Sequence, residues 1–289
     1  MKSGKGGSVL LPAVFCWAIA LPASSTWGIT TRDDVPDSSY VALGANSDYA
    51  AVGSVSSRLS GSGILVAPNW VLTAAHNIIG SSSGSFTING STYTADQLIR
   101  NPNYQPANQF AGYDFGLMHL TSSVSGIPPA ELYAGSSEAG QIGTFVGLGF
   151  KGTGLTGYQT IDGLKRAFQD YIDQDFGTPS VVLGSYFDNP HTSPDALALE
   201  GCVAFGDSGG GVFLTVGSQS YLAGVISFVA STNGPANSSY GNFSGYDRVS
   251  SAFSWIESTI PEPSVGAFSV VGGIALFVVR RFRAPIARR

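Results

Sequence analysis

The sequence has little charge for its length. Of its 289 residues only 11% are charged, whereas soluble domains average about 25%. Long helices and coiled coils need charged surface residues, so this shortage, together with 38 glycines, argues against both. It also argues against highly charged disorder. With 17 Phe and 12 Tyr, the composition favours many short strands joined by tight turns.

Cysteine is also scarce, with only Cys16 and Cys202 in the chain. Because Cys16 lies in an N-terminal segment that we expect to be removed, the mature protein would have no intrachain disulfide. Basic residues are scarce in the body of the chain. Between Ile29 and Pro263, seven Lys and Arg stand against all 19 acidic residues, a net charge of −12. An acidic body repels phosphate backbones, so we expect no nucleic-acid partner.

The N-terminus has the pattern of a secretory signal peptide. Lys2 and Lys5 precede an apolar run from Val9 to Leu21, and small residues follow at Ala23–Ser25. We therefore predict a signal peptide over residues 1–28, removed by signal peptidase during export.

The C-terminus combines three features. Pro261-Glu262-Pro263-Ser264 precedes an apolar run, Val265–Val279, which is followed by Arg280-Arg281-Phe282-Arg283. Fifteen apolar residues are short for a bilayer span, which needs about 20. The arrangement resembles the PEP-CTERM signal of Gram-negative bacteria. That resemblance implies that residues 261–289 hold the protein in the membrane until an exosortase removes them. The expected location is the periplasm, the cell surface or the medium; a permanent tail anchor is the alternative.

The body, residues 29–260, contains short strand-like runs. Examples are Gly63–Ala67, Trp70–Thr73 and a hairpin over Ser85–Ala95 with Asn89-Gly90 at its turn. One helical pattern occurs late, at Val249–Ile260. Strands followed by a terminal helix predict β-barrels rather than a parallel βαβ sheet. We expect the charged segment around Lys165-Arg166 to be solvated strand and loop.

The strongest local motif is Gly206-Asp207-Ser208-Gly209-Gly210. Glycines around a serine permit a tight backbone whose N–H groups can face a reacting oxygen. The pentapeptide also fits the nucleophile elbow of α/β-hydrolases, in which the histidine follows the serine. All three histidines precede Ser208, so that interpretation fails.

A serine nucleophile needs a base. His76 ends a strand that runs into Ala74-Ala75, a context that places an imidazole at a barrel edge. His119 lies in an apolar strand and His191 in a Pro-rich turn, so we expect these two to be structural and exposed, respectively. The orienting carboxylate is predicted at Asp114, between apolar neighbours. The order His76, Asp114, Ser208 is the His…Asp…Ser order of the chymotrypsin triad.

Three blocks, Thr73–His76, Asp114–Leu117 and Gly206–Gly210, together resemble the signatures of trypsin-like (chymotrypsin-fold, S1-type) serine proteases. The resemblance implies an all-β fold of two six-stranded antiparallel barrels, roughly residues 29–140 and 141–260, with a short C-terminal helix. It implies a secreted endopeptidase that cleaves protein or peptide substrates through an acyl-enzyme. The triad would be His76, Asp114 and Ser208, and the oxyanion would bind to the N–H groups of Gly206 and Ser208.

The same resemblance implies further roles. A new N-terminus at Ile29 would pair with Asp207. Substrate would contact a pocket formed by Cys202, Ser227, Phe228, Val229 and Ser244. With Cys202 at its base, this pocket has no counter-charge for Arg or Lys, so we expect a neutral or small side chain before the cleaved bond. The histidines and the thiol have no metal-ligand spacing. We therefore expect no metal and no cofactor, with loop-bound calcium left open.

Two alternatives remain. The fold could serve as a catalytically idle surface adhesin, or the same triad could act as an esterase or other acyl transferase. The presence of all three triad residues favours an enzyme.

Overall fold

The computed structural model describes residues 29–176, 180–232 and 234–260. The predicted signal peptide and the predicted C-terminal tail lie outside the described residues. Within the described part, no helix is both long enough and apolar enough to cross a membrane.

The first half of the chain contains a closed six-stranded barrel in the order β2-β3-β4-β7-β6-β5. The predicted hairpin is confirmed as β5 and β6, and its turn residues Asn89 and Gly90 have φ values of 46° and 75°, as a tight two-residue turn requires. The elements of this half are β1 (Thr30–Thr31), α1 (Asp37–Gly44), β2 (Val52–Ser56), β3 (Ser60–Ala67), β4 (Trp70–Thr73), α2 (Ala75–Ile78), β5 (Gly84–Ile88), β6 (Ser91–Arg100) and β7 (Gly116–Leu120).

The second half forms a curved sheet in the order β12-β9-β16-β17-β18-β14-β13, with β8 paired to β17. From residue 131 onwards, the chain contains β8 (Glu131–Leu132), β9 (Ile142–Gly147), β10 (Lys151–Thr153), β11 (Gly157–Thr160), β12 (Arg166–Tyr171), β13 (Gln174–Phe176), β14 (Val182–Tyr186), β15 (Gly201–Cys202), β16 (Gly211–Val216), β17 (Gln219–Ser231), β18 (Asn242–Arg248) and α3 (Val249–Thr259). The predicted all-β fold with a C-terminal helix is confirmed. The second sheet is a half-barrel rather than a closed six-stranded barrel, and helix α1 packs against its terminal strand β12.

A smaller sheet joins the start of the chain to the second half. Its order is β11-β10-β1-β15, with β1 parallel to β10 and antiparallel to β15. The Thr30 hydroxyl lies 3.0 Å from the carbonyl oxygen of Cys202 and 2.9 Å from that of Ser238. Both β1 and β8 precede the predicted boundary near residue 140, yet β1 pairs with β10 and β15, and β8 pairs with β17.

The hydrophobic core is continuous between the halves. Barrel residues such as Leu72 and Phe86 belong to the same buried cluster as Val225 of β17 and Ile256 of α3. A second cluster lies inside the half-barrel, where the Phe145 and Phe168 rings stack at a centroid distance of 4.5 Å. Burial of apolar area is the main source of stability for such a fold, so each half stabilises the position of the other.

The expectation of a solvated Lys165-Arg166 pair is wrong for Arg166. Its side chain is fully buried, with nitrogens 2.6 and 2.7 Å from the carboxylate oxygens of Asp37 and 2.6 and 2.8 Å from those of Asp162. A guanidinium can be buried when carboxylates satisfy its donors in this forked geometry. The Arg166 guanidinium holds the pKa of the Asp162 carboxyl well below its usual range.

We predict that Arg166→Met lowers the free energy of unfolding by about 3 kcal/mol at neutral pH, because it removes a buried cation from two carboxylates and leaves Asp162 with Lys151, 2.8 Å away, as its remaining partner. The lowered pKa means that the contribution of Asp162 is present above about pH 4 and is lost as the pH falls. Urea unfolding at about pH 7 and about pH 3 measures both effects. Exposed Arg58→Met is the matched control, expected within about 0.5 kcal/mol of wild type. Equal losses in the two variants would contradict the prediction.

Candidate active site

His76 lies in the short helix α2, directly after β4. This is the strand-to-helical-turn context that the sequence indicates. Its Nδ1 is 2.6 Å from Oδ2 of Asp114, and its backbone N–H donates to Oδ1 of the same carboxylate at 2.9 Å. The imidazole is about one quarter exposed, with 26% of its side-chain surface accessible. One carboxylate therefore fixes both the backbone and the ring of His76.

Asp114 is nearly buried, with 5% of its side chain accessible. A third donor, the hydroxyl of Ser227 in β17, reaches its Oδ2 at 2.7 Å. An ionised carboxylate in a buried position needs such donors to offset lost hydration. Ser227 was predicted only as a substrate-binding residue, but its hydroxyl also links the second half to the Asp114 carboxylate of the first half.

Ser208 lies in a loop that both halves hold. Its carbonyl oxygen accepts hydrogen bonds from the Ser62 N–H at 2.8 Å and from the Asn77 side-chain amide at 2.9 Å. The next N–H, that of Gly209, donates to the Ile226 carbonyl at 2.7 Å. The first half thus holds the loop at Ser208, and β17 of the second half holds it one residue later.

The glycines of this loop adopt conformations that other residues rarely reach. Gly206 and Gly209 have φ values of 91° and 84°. No described residue accepts a hydrogen bond from the N–H of Gly206 or Ser208. The carboxylate of Asp207 between them accepts the N–H groups of Gly149 at 2.6 Å and Ala204 at 2.7 Å. The backbone is therefore fixed while two donors stay available for an oxyanion.

Ser208 and His76 line one cavity of about 260 Å³, yet the described residues include no hydrogen bond between their side chains. The Ser208 hydroxyl instead lies 3.5 Å from the carbonyl oxygen of Ser227, at the limit of hydrogen-bond distance. Catalytic hydrogen bonds are often long in enzymes without substrate. The structure therefore brings His76 and Asp114 into contact and places Ser208 in the same cavity.

Three of the predicted pocket residues, Ser227, Phe228 and Val229, line this cavity. Cys202 and Ser244 are fully buried and are not part of its lining. The Ser244 hydroxyl contacts the Cys202 sulfur at 3.5 Å and accepts the N–H of Val203, a lining residue. These two residues thus form a layer behind the cavity wall, where burial raises the pKa of the Cys202 thiol to about 12.

The predicted activation pair consists of two fully buried residues, Ile29 and Asp207, that are not hydrogen-bonded to each other. Ile29 is fully buried, and β1 follows it beside β15. No hydrogen bond between Ile29 and Asp207 is present among the described residues. Burial raises the pKa of the Asp207 carboxyl well above its usual range, because it outweighs the opposing effect of the two backbone N–H groups that the carboxyl accepts.

The other two histidines lie away from this cavity. His119 is held between Asp96, 2.6 Å from its Nδ1, and Asn69, 2.8 Å from its Nε2. His191 is half exposed and pairs with Asp33. In the described part of the chain, no group of three or more His, Cys, Asp or Glu side chains is arranged to hold a metal.

Sequence reasoning missed several residues of the site. Tyr158, Phe205 and Ala236 also line the cavity, and their positions depend on loop packing that leaves no motif. Asp247, whose side-chain oxygen accepts the Asp114 N–H, was missed as well. Asn77, which donates to the Ser208 carbonyl, was also missed, although its position directly after His76 in the sequence could have indicated a role at the site.

We predict that Gly209→Ala destabilises the fold by at least about 3 kcal/mol, through backbone strain and overpacking. An added Cβ would collide with the Ser62 carbonyl oxygen and the Thr73 hydroxyl. Gly217 is the matched control, because its φ is also positive, at 66°, while nothing lies within 4 Å of its added Cβ. Gly217→Ala should cost only about 1 kcal/mol. Thermal unfolding of both variants measures the difference, and equal costs would contradict the role of close packing.

Comparison with known proteins agrees with this geometry. The family model described as Trypsin matches residues 41–256. Chymotrypsin-like elastase family member 1 of Macaca fascicularis is 28% identical over 216 residues, covering 68% of this chain and 77% of the relative. The human protein of the same name is 27% identical, covering 68% and 80%. The solved structure of HL collagenase, 19% identical, shares the fold with a TM-score of 0.57 over 75% of this chain and 97% of that one. The chain belongs to the trypsin family.

Proposed function

We propose that this protein is an exported serine endopeptidase that uses His76, Asp114 and Ser208 as its triad. The observation that carries the proposal is the His76–Asp114 contact at 2.6 Å, in a cavity that Ser208 also lines. The Asp114 contact holds the imidazole through Nδ1, which leaves Nε2 to act as the base. No described residue bonds to Nε2 of His76.

The mechanism follows from these positions. The Ser208 hydroxyl leaves the Ser227 carbonyl, gives its proton to Nε2 of His76, and its oxygen bonds to the substrate carbonyl carbon. The N–H groups of Gly206 and Ser208 stabilise the oxyanion. The C–N bond then breaks as His76 returns the proton to the leaving amine. A water molecule then attacks the acyl-enzyme by the same steps, which releases the acyl group and restores Ser208.

A new N-terminus would complete the site. Asp207 is a fully buried carboxylate on the residue before Ser208, and Ile29 is buried at the start of β1. An ammonium group released by cleavage before Ile29 would give Asp207 a cation, and a buried charge is strongly stabilised by such a partner. We propose that processing at this bond activates the enzyme. The sequence of residues 1–28 supports export, and that of residues 261–289 supports a sorting tail.

We predict that a fluorophosphonate probe labels Ser208 in protein that begins at Ile29. Protein that begins at Thr26 should react at least about tenfold more slowly, because it lacks the amine beside Asp207. Mass spectrometry of the labelled peptide and N-terminal sequencing of secreted protein give the readouts. Ser208→Ala is the control and should take no label. An unlabelled wild-type enzyme with a correct N-terminus would favour the idle adhesin, and cleavage of esters but not peptides would favour an esterase.

The cavity supports a preference for a small, uncharged side chain before the cleaved bond. Its described lining includes Val203, Ala204 and Val229 and contains no carboxylate. Its volume of about 260 Å³ is small for a ligand site. Aromatic rings flank it: Phe228 contacts Phe110 at a centroid distance of 5.0 Å, and Phe205 contacts Phe150 at 5.8 Å. Apolar residues next to the cleaved bond would pack on these rings.

We predict that Val229→Ala shifts specificity towards larger side chains. Removing two methyl groups from the cavity wall should raise the ratio of kcat/KM for Phe over Ala, at the position before the cleaved bond, by about tenfold. A peptide library reports this ratio. Val216→Ala, at an exposed valine outside the cavity, is the control and should leave the ratio unchanged. An unchanged ratio in both variants would show that Val229 does not limit the pocket.

A further inference from the structure

A second buried carboxyl lies against the backbone of Asp114. Asp247, in β18 of the second half, is fully buried, and its Oδ2 accepts the backbone N–H of Asp114. The two residues are 133 positions apart in the chain. The mechanism above uses the carboxylate of Asp114 but gives Asp247 no role.

The Asp114 backbone needs such support because it belongs to a strained turn. Gly112 and Tyr113, which precede it, have φ values of 71° and 62°. Positive φ is unfavourable for a residue with a Cβ, such as Tyr113. The Phe115 N–H donates to the Tyr113 carbonyl at 2.7 Å, which closes a three-residue turn around Asp114. Within this turn, the N–H of Asp114 bonds to Asp247 in the other half.

The surroundings of Asp247 contain an acid and no close cation. In the neighbouring strands it lies opposite Val182 and Val225. The next residue, Arg248, directs its guanidinium to Ser180 and Glu138. Oδ1 of Asp247 has no hydrogen-bond partner in the described part of the chain.

Burial and the negative charge of Asp114 both raise the pKa of the Asp247 carboxyl. On the side of the first half, burial and the same two carboxyls raise the pKa of the Tyr104 phenol to about 12. The weaker opposing influence on Tyr104 comes from Arg58 and Arg100. Two carboxylates this close in an apolar interior cannot both be ionised cheaply.

We propose that Asp247 is a positioning residue that holds the Asp114 turn from the second half as an uncharged carboxylic acid. Its carbonyl oxygen accepts the Asp114 N–H, and its proton resides on Oδ1. Asp114 keeps the negative charge that three donors stabilise, and the carboxylate stays oriented towards His76. The kinetic part of this inference rests on the proposed triad, whereas the contact and the charge state do not.

The kinetic test compares Asp247→Ala with Asp247→Asn. The amide keeps a carbonyl acceptor for the Asp114 N–H, so kcat should stay within about threefold of wild type, whereas Ala should lower kcat by at least about tenfold with little change in KM. Asp170→Ala and Asp170→Asn are matched controls, because Asp170 is also a buried acid with a raised pKa but lies outside the site. Wild-type kcat in Asp247→Ala, or an equal loss of kcat in Asp170→Ala, would overturn the proposal.

The second test does not require activity. Because the folded protein keeps a proton on Asp247 that the unfolded chain loses above about pH 4, the wild type should lose stability relative to Asp247→Asn as the pH rises. Urea midpoints between about pH 4 and about pH 8 measure this difference. A difference that does not change with pH would show an ionised Asp247 and overturn the proposal, even if Asp247→Ala cannot fold.

The amide proton of Asp114 in NMR spectra should also move upfield in Asp247→Ala, and an unmoved signal would contradict the contact. If the wild type fails to label with the fluorophosphonate, these two readouts still decide the case.

Discussion

The hydrogen bonds across the junction between the halves are the constraint on which the rest of the site depends. The Asp114 carboxylate of the first half accepts the hydroxyl of Ser227 from the second. In return, the carbonyl oxygen of Ser208 in the second half accepts donors from Ser62 and Asn77 in the first. Each half thus fixes a candidate catalytic residue of the other. The continuous hydrophobic core brings the halves together, and these polar contacts set the angle and register at which the side chains meet.

Much of this arrangement could be predicted from the sequence. The strands and turns are predictable because alternation and the Asn89-Gly90 turn are local signals. His76 and Asp114 can be paired from the sequence because the motif blocks that contain them and Ser208 occur in the His…Asp…Ser order of a known triad. The four-stranded sheet around β1 leaves no such signal, since two threonines cannot indicate a parallel partner more than 120 residues away.

Burial of polar residues was the hardest property to predict. Arg166 follows a lysine in a charged segment, so its neighbours suggested solvent, while its partner Asp37 is distant in the chain. Cys202 and Ser244 were expected at the surface of the pocket by their alignment with a family pattern, but Val203 and Ala204 occupy the wall. Asp247 lies in a strand whose seven residues are all buried. Its local sequence gives no sign that its carboxyl accepts an N–H from a residue far away in the chain. Each of these outcomes depends on contacts between elements rather than on periodicity.

Buried carboxyls connect loops in this fold, which has a single free cysteine in its described part. Asp207 joins the segments at Gly149 and Ala204, and Glu200 accepts the N–H groups of Asp188 and Leu197. Burial raises the pKa of the Glu200 carboxyl to about 7, so the folded state holds a proton that the unfolded chain releases near pH 4.5. Its contribution to stability therefore falls as the pH rises between those values. Asp247 acts in the same direction, as does Asp207 as long as it lacks a cation. Asp162 acts in the opposite direction, since its pairing with Arg166 is lost in acid. Carboxyls for which burial outweighs the N–H donors, and a carboxyl that receives a guanidinium, thus limit stability from opposite ends of the pH scale.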